Sequence, residues 1–253
     1  MKQITDFRLV GKRDFGRSVL LRLRSEKALP GISPGQFVQV RVDGSPSTYL
    51  RRPISIHDVD FDKHELSLLV QLVGEGTKHL AAVNEGELIN LVLPLGNGYT
   101  LPEKDEKVLL VGGGIGIAPL FYLAKCMALK GVKPMFLLGG KTASDLVLLD
   151  AYEKLGVTHI TTEDGSLGEK GMVTGHSVWK SGRFDKIYVC GPKRMMMAVA
   201  DLAKANDTWC EVSLEHLMAC GLGACLCCVE DTVEGHLCVC KEGPVFNTRR
   251  LKW

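Results

Sequence analysis

Six of the nine cysteines in this 253-residue chain lie at or after position 220. Three of them follow the spacing Cys220-x4-Cys225-x2-Cys228, and Cys240 comes after eleven intervening residues. This is the plant-type ligand spacing of a [2Fe-2S] cluster, in which one tight loop supplies three thiolates and a nearby segment supplies the fourth. The pattern therefore predicts electron-transfer chemistry at this end of the chain.

The same segment leaves two questions open. A zinc site of four cysteines usually shows two short Cys-x2-Cys pairs, so the spacing favours a cluster over zinc. Using Cys227 in place of Cys228 would break the x2 spacing, so we do not assign Cys227 as a ligand. Cys238 and Cys240 are two apart and would share one face of a strand, so periodicity leaves either as the fourth ligand. Gly221 and Gly223 let the loop bend and point amide hydrogens towards the sulfurs.

A second group of residues predicts a nucleotide site. The glycine-rich run from Gly112 to Pro119 follows an apolar strand and opens a predicted helix, so a pyrophosphate could approach its backbone and the helix N-terminus. Cys190 and Gly191 end another apolar strand and should face the same crevice. The acidic residue expected about 20 positions later is missing, because that part reads PMFLLGGK, and Lys141 there could contact a phosphate instead.

A third group lies in the first part of the chain, in RRPISI (residues 51–56) and GEGT (residues 74–77). An arginine suits a phosphate because its guanidinium is a forked donor. Ser55 can offer a hydroxyl and an amide to a ring nitrogen. Alone, such a motif at a strand edge is most often a solvated surface feature, but the other motifs in the chain favour a role in binding a phosphate.

Three segments must position these groups. Residues 1–101 alternate in short apolar runs and predict antiparallel strands that form a small barrel or sandwich. Residues 102–210 alternate strands and helices, which predicts a doubly wound parallel sheet. Residues 211–253 show little periodicity, so a cluster should hold them. The helices of the middle segment are predicted to begin near Ala118, Ser144, Gly175 and Pro192.

Composition excludes several classes of function. The chain has 31 Lys and Arg against 29 Asp and Glu, 45% hydrophobic residues and no long basic run, so neither nucleic acid nor a membrane is an expected partner. Charges near the N-terminus leave no signal-peptide core, which predicts a cytoplasmic protein. The histidines are scattered without ligand spacing, and no catalytic residue is predicted.

Taken in order along the chain, three motifs resemble those of the ferredoxin-NADP reductase superfamily. They are the segment from Arg52 to Ser55, the segment from Gly114 to Pro119, and Cys190 followed by Gly191 and Pro192. With the cysteine motif, nearly the whole chain resembles the electron-transfer subunits of NAD-dependent class 1B dihydroorotate dehydrogenases. SLEHLMACGLGAC and VCKEGPVF are the most specific strings. In that family the cysteine before Gly-Pro-Val-Phe is the fourth ligand, which favours Cys240. Ile54 occupies the place of the tyrosine that usually stacks on the flavin.

The resemblance implies three cofactors, FAD, a [2Fe-2S] cluster and NAD. FAD would contact Arg52, Pro53, Ile54, Ser55, Leu69, Val70, Gln71, Gly76 and Thr77. NAD would lie over Gly114 and Gly116, with Cys190 and Gly191 near the nicotinamide.

The resemblance further implies a relay for pyrimidine biosynthesis. Electrons would pass from the FMN of a separate catalytic subunit through the cluster and FAD to NAD, in a heterotetramer with two copies of each subunit. One alternative is the related subunit of an NAD(P)H-ferredoxin oxidoreductase, sulfide dehydrogenase or soluble hydrogenase. Another is a non-catalytic zinc or redox-sensing module built on a flavoprotein fold.

Overall fold

A computed structural model describes residues 2–253. Their contacts divide the chain into two compact units. The barrel unit comprises the residues up to Gly98 together with 215–230 and 236–244, and the sheet unit comprises 99–214, 231–235 and 245–253. The cysteine-rich segment is therefore shared between the two units.

The barrel unit is built on a closed barrel of six antiparallel strands in the order β1-β2-β5-β4-β3-β6. Its elements are β1 (Gln3–Asp14), β2 (Ser18–Arg24), β3 (Phe37–Val40), β4 (Arg52–Asp60), β5 (Glu65–Gln71), α1 (Glu75–Ala82) and β6 (Leu88–Leu95).

The apolar alternation seen in the sequence has a direct structural cause, which β2 illustrates. Leu21 and Leu23 are fully buried, whereas Arg22 and Arg24 are exposed, because successive side chains of a strand point to opposite faces. Closing the sheet leaves no unpaired edge, so a barrel is the more protected of the two predicted arrangements. The structure confirms the barrel.

The sheet unit carries a seven-stranded sheet in the order β10-β9-β8-β7-β11-β12-β15. All neighbouring strands are parallel except β15, which runs antiparallel to β12. The elements are β7 (Val108–Gly113), α2 (Ala118–Leu129), β8 (Met135–Gly140), α3 (Leu149–Glu153), β9 (Val157–Thr162), β10 (Glu169–Lys170), β11 (Lys186–Cys190), α4 (Lys193–Ala205), β12 (Trp209–Ser213) and, later in the chain, β15 (Val245–Asn247).

Two of the four predicted helices are correct and two are wrong. Helices α2 and α4 begin where the sequence predicts, after the glycine run and after Pro192. Near Ser144 the chain forms the 3-10 turn Ala143–Asp145, and the following helix α3 begins only at Leu149. Near Gly175 it forms the short 3-10 turns Val173–Gly175 and Ser177–Lys180. At the first of these turns the Asp145 carboxylate accepts the Lys141 and Thr142 amides, and such local bonds compete with a longer helix.

The remaining elements lie in the C-terminal segment. Strands β13 (Val229–Thr232) and β14 (Gly235–Cys238) pair with each other, and the short helix α5 (Val239–Glu242) follows directly. Across residues 2–253 no helix is both long and apolar enough to cross a membrane.

Candidate cofactor sites

The four predicted cluster ligands come together in the barrel unit. Cys220, Cys225 and Cys228 lie in the irregular segment that precedes β13, whereas Cys240 lies in α5. Cys240 lies beside Cys228, since its amide donates to Cys228 Sγ, and Cys225 lies beside Cys220, whose pKa it lowers. Two pairs of sulfurs suit a cluster of two irons, because each iron then receives two cysteine ligands.

Backbone amides surround these sulfurs. The Leu222 amide donates to Cys220 Sγ at 3.3 Å, the Gly223 amide to Cys240 Sγ at 3.1 Å, and the Cys240 amide to Cys228 Sγ at 3.4 Å. The backbone can reach the sulfurs because Gly221 and Gly223 have positive φ angles of 67° and 83°. Hydrogen bonds to sulfur tune the potential of iron-sulfur clusters, so this loop has the donor set that a cluster needs.

The pKa values of the sulfurs differ between the two pairs. Partial burial raises the pKa of the Cys220 thiol, but hydrogen bonds from the loop that follows outweigh this effect and lower the pKa to about 6. Burial and the neighbouring Cys228 side chain raise the pKa of Cys240 to about 12. A thiolate is the form that binds metal, and bound metal displaces the remaining protons.

Within residues 2–253, no group of three or more His, Cys, Asp or Glu side chains has the arrangement of ligands around a single metal ion. The preference for a cluster over zinc rests on the Cys220-x4-Cys225-x2-Cys228 spacing.

The two additional cysteines have other neighbours. The Cys227 thiol is exposed and donates to the Leu217 carbonyl at 3.5 Å. The Cys238 thiol is buried and donates weakly to the Gly223 carbonyl at 4.0 Å. The Cys240 amide donates to Cys228 Sγ and its own sulfur accepts the Gly223 amide, which supports Cys240 over Cys238 as the fourth ligand.

This geometry predicts different outcomes for two serine substitutions. Cys240→Ser should lose most of the cluster iron, because serine is a poor ligand for this centre. Cys238→Ser is the matched control and should keep the iron and sulfide content of the unaltered protein. Iron and sulfide assays, together with the visible spectrum of anaerobically purified protein, measure both. Loss of iron in the Cys238 variant alone would reverse the assignment.

The end of β6 holds the turn that carries Cys240. The Asn97 amide donates to the Gly243 carbonyl at 2.6 Å, and Asn97 Nδ2 donates to the Lys241 and Glu242 carbonyls at 3.2 and 3.1 Å. A Cβ on Gly96 would lie 2.4 Å from Pro244 Cδ, so no side chain fits between barrel and turn. Residues just after β6 thus position the segment that carries Cys240, the predicted fourth ligand.

The predicted flavin residues lie on β4, on β5 and at the start of α1. Arg52 Nε lies 3.1 Å from where a Cβ on Gly76 would be, and Thr48 Cγ2 lies 3.0 Å from the same point. The bare backbone of Gly76 thus forms a cradle beside a guanidinium, which fits a phosphate group. The neighbouring Arg51 instead donates to the Gln39 and Asn90 carbonyls.

The other predicted flavin residues surround this cradle. Thr77 Oγ1 accepts the Val73 and Gly74 amides at 3.1 Å and fixes the turn into α1. Leu69 and Val70 are buried. The remaining members are half-buried or, for Gln71, exposed: Pro53, Ile54, Ser55 and Gln71.

The glycine run of the sheet unit turns directly from β7 into α2, as the sequence predicts. A Cβ on Gly116 would lie 2.4 Å from the Cys190 carbonyl oxygen and 2.6 Å from Gly191 Cα. Because β7 and β11 are parallel neighbours, with Gly112 opposite Cys190, their carboxyl ends meet at this loop. Gly114, with φ of 54°, and Gly116 thus lie beside Cys190 and Gly191, where the rule for open α/β sheets expects a ligand.

One acidic residue was missed by the sequence analysis. Asp145 lies beyond the end of β8, and its carboxylate accepts the Lys141 and Thr142 amides, both at 3.0 Å. It therefore caps the loop that follows the strand. Asp145 lies farther along the sequence from the glycine run than the acidic residue of the usual pattern does. The pattern therefore did not reveal it.

Comparisons with known protein families agree with the predicted cluster site and the predicted nucleotide site. Residues 215–252 match the iron-sulfur cluster binding domain of dihydroorotate dehydrogenase B, and residues 110–201 match the oxidoreductase NAD-binding domain. FAD, a [2Fe-2S] cluster and NAD are the cofactors of such a chain.

Solved structures share the fold. The structure of an NADH-dependent reduced ferredoxin-NADP oxidoreductase superposes with a TM-score of 0.87 at 30% identity, over 98% of this chain and 90% of the other. A ferredoxin reductase in carbazole 1,9a-dioxygenase superposes with a TM-score of 0.70 at 18% identity, over 82% and 67%. The second likeness shows the fold alone.

Sequence relatives extend over most of the chain. The dihydroorotate dehydrogenase B (NAD(+)) electron transfer subunit of Caldanaerobacter subterraneus subsp. tengcongensis is 42% identical over 84% of each chain. The protein of the same name from Bacillus mycoides is 37% identical over 97% of each chain. The chain therefore belongs to the family of dihydroorotate dehydrogenase B (NAD(+)) electron transfer subunits.

Proposed function

We propose that this chain is the electron-transfer subunit of a dihydroorotate dehydrogenase that uses NAD as electron acceptor in pyrimidine biosynthesis. One observation carries the proposal: the cysteine loop and the β4 flavin strand belong to the same compact unit. Electron transfer needs the two cofactors held close together and in a defined orientation, and a shared compact unit can provide both.

The cofactors supply the redox chemistry. The cluster carries one electron at a time, FAD links one-electron steps to two-electron steps, and NAD accepts a hydride. The chain's residues provide binding and orientation. The cysteine loop holds and tunes the cluster, Arg52 and Gly76 receive a phosphate of FAD, and the glycine loop at Gly114 and Gly116 receives NAD. These residue roles, and the division into segments 1–101, 102–210 and 211–253, are part of the proposal.

In this proposal a partner subunit oxidises the organic substrate and carries FMN. The assembly contains two copies of each subunit, which the mass of the purified complex in solution tests. We also propose a cytoplasmic location for the protein, because thiols remain reduced and NAD is available there.

An exposed apolar patch around the cluster loop is the proposed docking surface for that partner. Leu217, Leu222 and Leu226 have exposed fractions of 87%, 47% and 66%, and Cys225 beside them is also exposed. Large apolar side chains that are exposed in one short segment are typical of protein interfaces. Docking there would bring the partner's flavin close to the cluster.

Placing charge on this patch tests the proposal. The double variant Leu222→Glu and Leu226→Glu should reduce dihydroorotate-dependent NAD reduction more than about tenfold, because unpaired carboxylates would be buried at the interface. NADH oxidation by the isolated chain with a dye as acceptor should stay unchanged. Leu129→Glu, at an 88% exposed position on α2, is the matched control. Equal activity of the patch variant and the control would contradict this docking surface.

One alternative has a specific observation in its favour. The 30% identity to an NADH-dependent reduced ferredoxin-NADP oxidoreductase favours a ferredoxin-linked subunit as second candidate. Mixing the purified chain with a dihydroorotate-oxidising subunit, or separately with reduced ferredoxin, distinguishes the two. NAD reduction with ferredoxin alone would support the alternative.

A further inference from the structure

The side-chain amide of Gln39 is buried and forms no hydrogen bond with residues 2–253. It lies on β3 and is 0% exposed. Neither its Nε2 nor its Oε1 atom finds a partner among residues 2–253. Buried polar groups are nearly always hydrogen-bonded, so an amide that is unpaired at both atoms indicates a missing ligand.

The surroundings of Gln39 show which ligand that is. Its Nε2 and Cγ atoms lie 2.9 and 2.8 Å from where a Cβ on Gly221 would be, so the side chain lies directly against the cysteine loop. Gly221 adjoins Cys220 and has a φ of 67°. Only a glycine permits the loop to approach the amide this closely. Gln39 is also the cross-strand neighbour of Pro53, on the strand assigned to the flavin.

The chemistry of the loop identifies the acceptor. Three backbone amides already donate to sulfurs there, from Leu222, Gly223 and Cys240. An amide NH2 group at the same loop adds a donor of the same kind, and sulfurs of a bound cluster carry negative charge that accepts such bonds.

We propose that Gln39 is a positioning residue whose Nε2 donates a hydrogen bond to a sulfur of the [2Fe-2S] centre on its Cys220 side and thereby raises the reduction potential of that centre. The inference rests on the proposed function, because it requires the cysteine loop to hold a cluster. It adds a side chain of the flavin barrel to the groups that tune the cluster. The electron affinity of the cluster is thus linked to the β3–β4 pair.

Two substitutions in the full chain with its cofactors test this role. Gln39→Met keeps the length of the side chain but removes the donor, so the midpoint potential of the cluster should fall. Gln39→Glu replaces the donor with a negative charge and should lower the potential further. The potential is measured by redox titration with the electron paramagnetic resonance signal of the reduced cluster, and the flavin potential is followed by absorbance.

Gln36→Met is the matched control. The Gln36 amide is satisfied within the protein, since Nε2 donates to the Gly96 carbonyl at 2.7 Å and Oε1 accepts the Ser33 amide at 2.8 Å. This variant should leave the cluster potential unchanged. An unchanged cluster potential in both Gln39 variants, or a shift confined to the flavin, would overturn the proposal.

A measurement on the unaltered sequence covers the case in which the variants lose the cluster. With 15N in the glutamine side-chain amides, pulsed paramagnetic resonance of the reduced cluster should show a nitrogen coupling. Absence of that coupling contradicts the proposed bond. Failure of the proposed function is separate, since it would appear as a chain without cluster or without electron exchange with the partner.

Discussion

Cys225→Ser is expected to abolish NAD reduction by the complex while the FMN of the partner remains reducible by dihydroorotate. Cys225 is an exposed residue of the loop, and its replacement would remove one of the four proposed ligands of the cluster. Even residues that merely support metal ligands cost about 10- to 100-fold when removed, so the loss should exceed about 100-fold. Stopped-flow absorbance with dihydroorotate and NAD measures both steps.

The neighbouring cysteine provides the control. Cys227→Ser changes another exposed thiol of the loop, which donates to the Leu217 carbonyl, and it should retain full activity. Reduction of FAD by NADH should survive in both variants, since that step does not need the cluster. Continued dihydroorotate-dependent NAD reduction by a Cys225 variant without cluster iron would refute the relay.

The second large effect is expected at Gly116. Its alanine Cβ would lie 2.4 Å from the Cys190 carbonyl oxygen and 2.6 Å from the Cys190 carbonyl carbon, both backbone atoms that cannot rotate away. Such overpacking costs about 1–3 kcal/mol. If that cost falls on the nucleotide-binding conformation, Gly116→Ala should weaken NADH binding by about 10- to 100-fold. The NADH concentration dependence of FAD reduction measures this loss.

A second glycine separates this effect from a general effect of alanine. Gly175 has no atom within 4 Å of an added Cβ and no positive φ, so Gly175→Ala should bind NADH normally. Iron and flavin content should remain normal in both variants, because those sites belong to the barrel unit. Normal NADH binding by Gly116→Ala would show that the glycine loop does not approach the nucleotide.

Several features followed from the sequence because they depend on residues close together in the chain. The Cys220-x4-Cys225-x2-Cys228 loop needs only its own spacing, and the glycine turn needs only the strand before it and the helix after it. The antiparallel strands of the first segment followed from period-two alternation, as in β2, whereas their closure into a barrel rather than a sandwich is shown by the strand pairing. In each case the local backbone geometry decides which side chains can meet.

The tertiary structure alone decided contacts between distant segments. Cys238 and Cys240 were equivalent by periodicity, but β14 ends at Cys238 and Asn97 on the barrel holds the turn after Cys240. Likewise, β12 was not recognised as a strand, although it joins the sheet beside β11. Gln39 reads as an ordinary strand residue until Gly221 packs against it. Such pairings depend on packing between segments far apart in the chain, about which a local pattern carries no information.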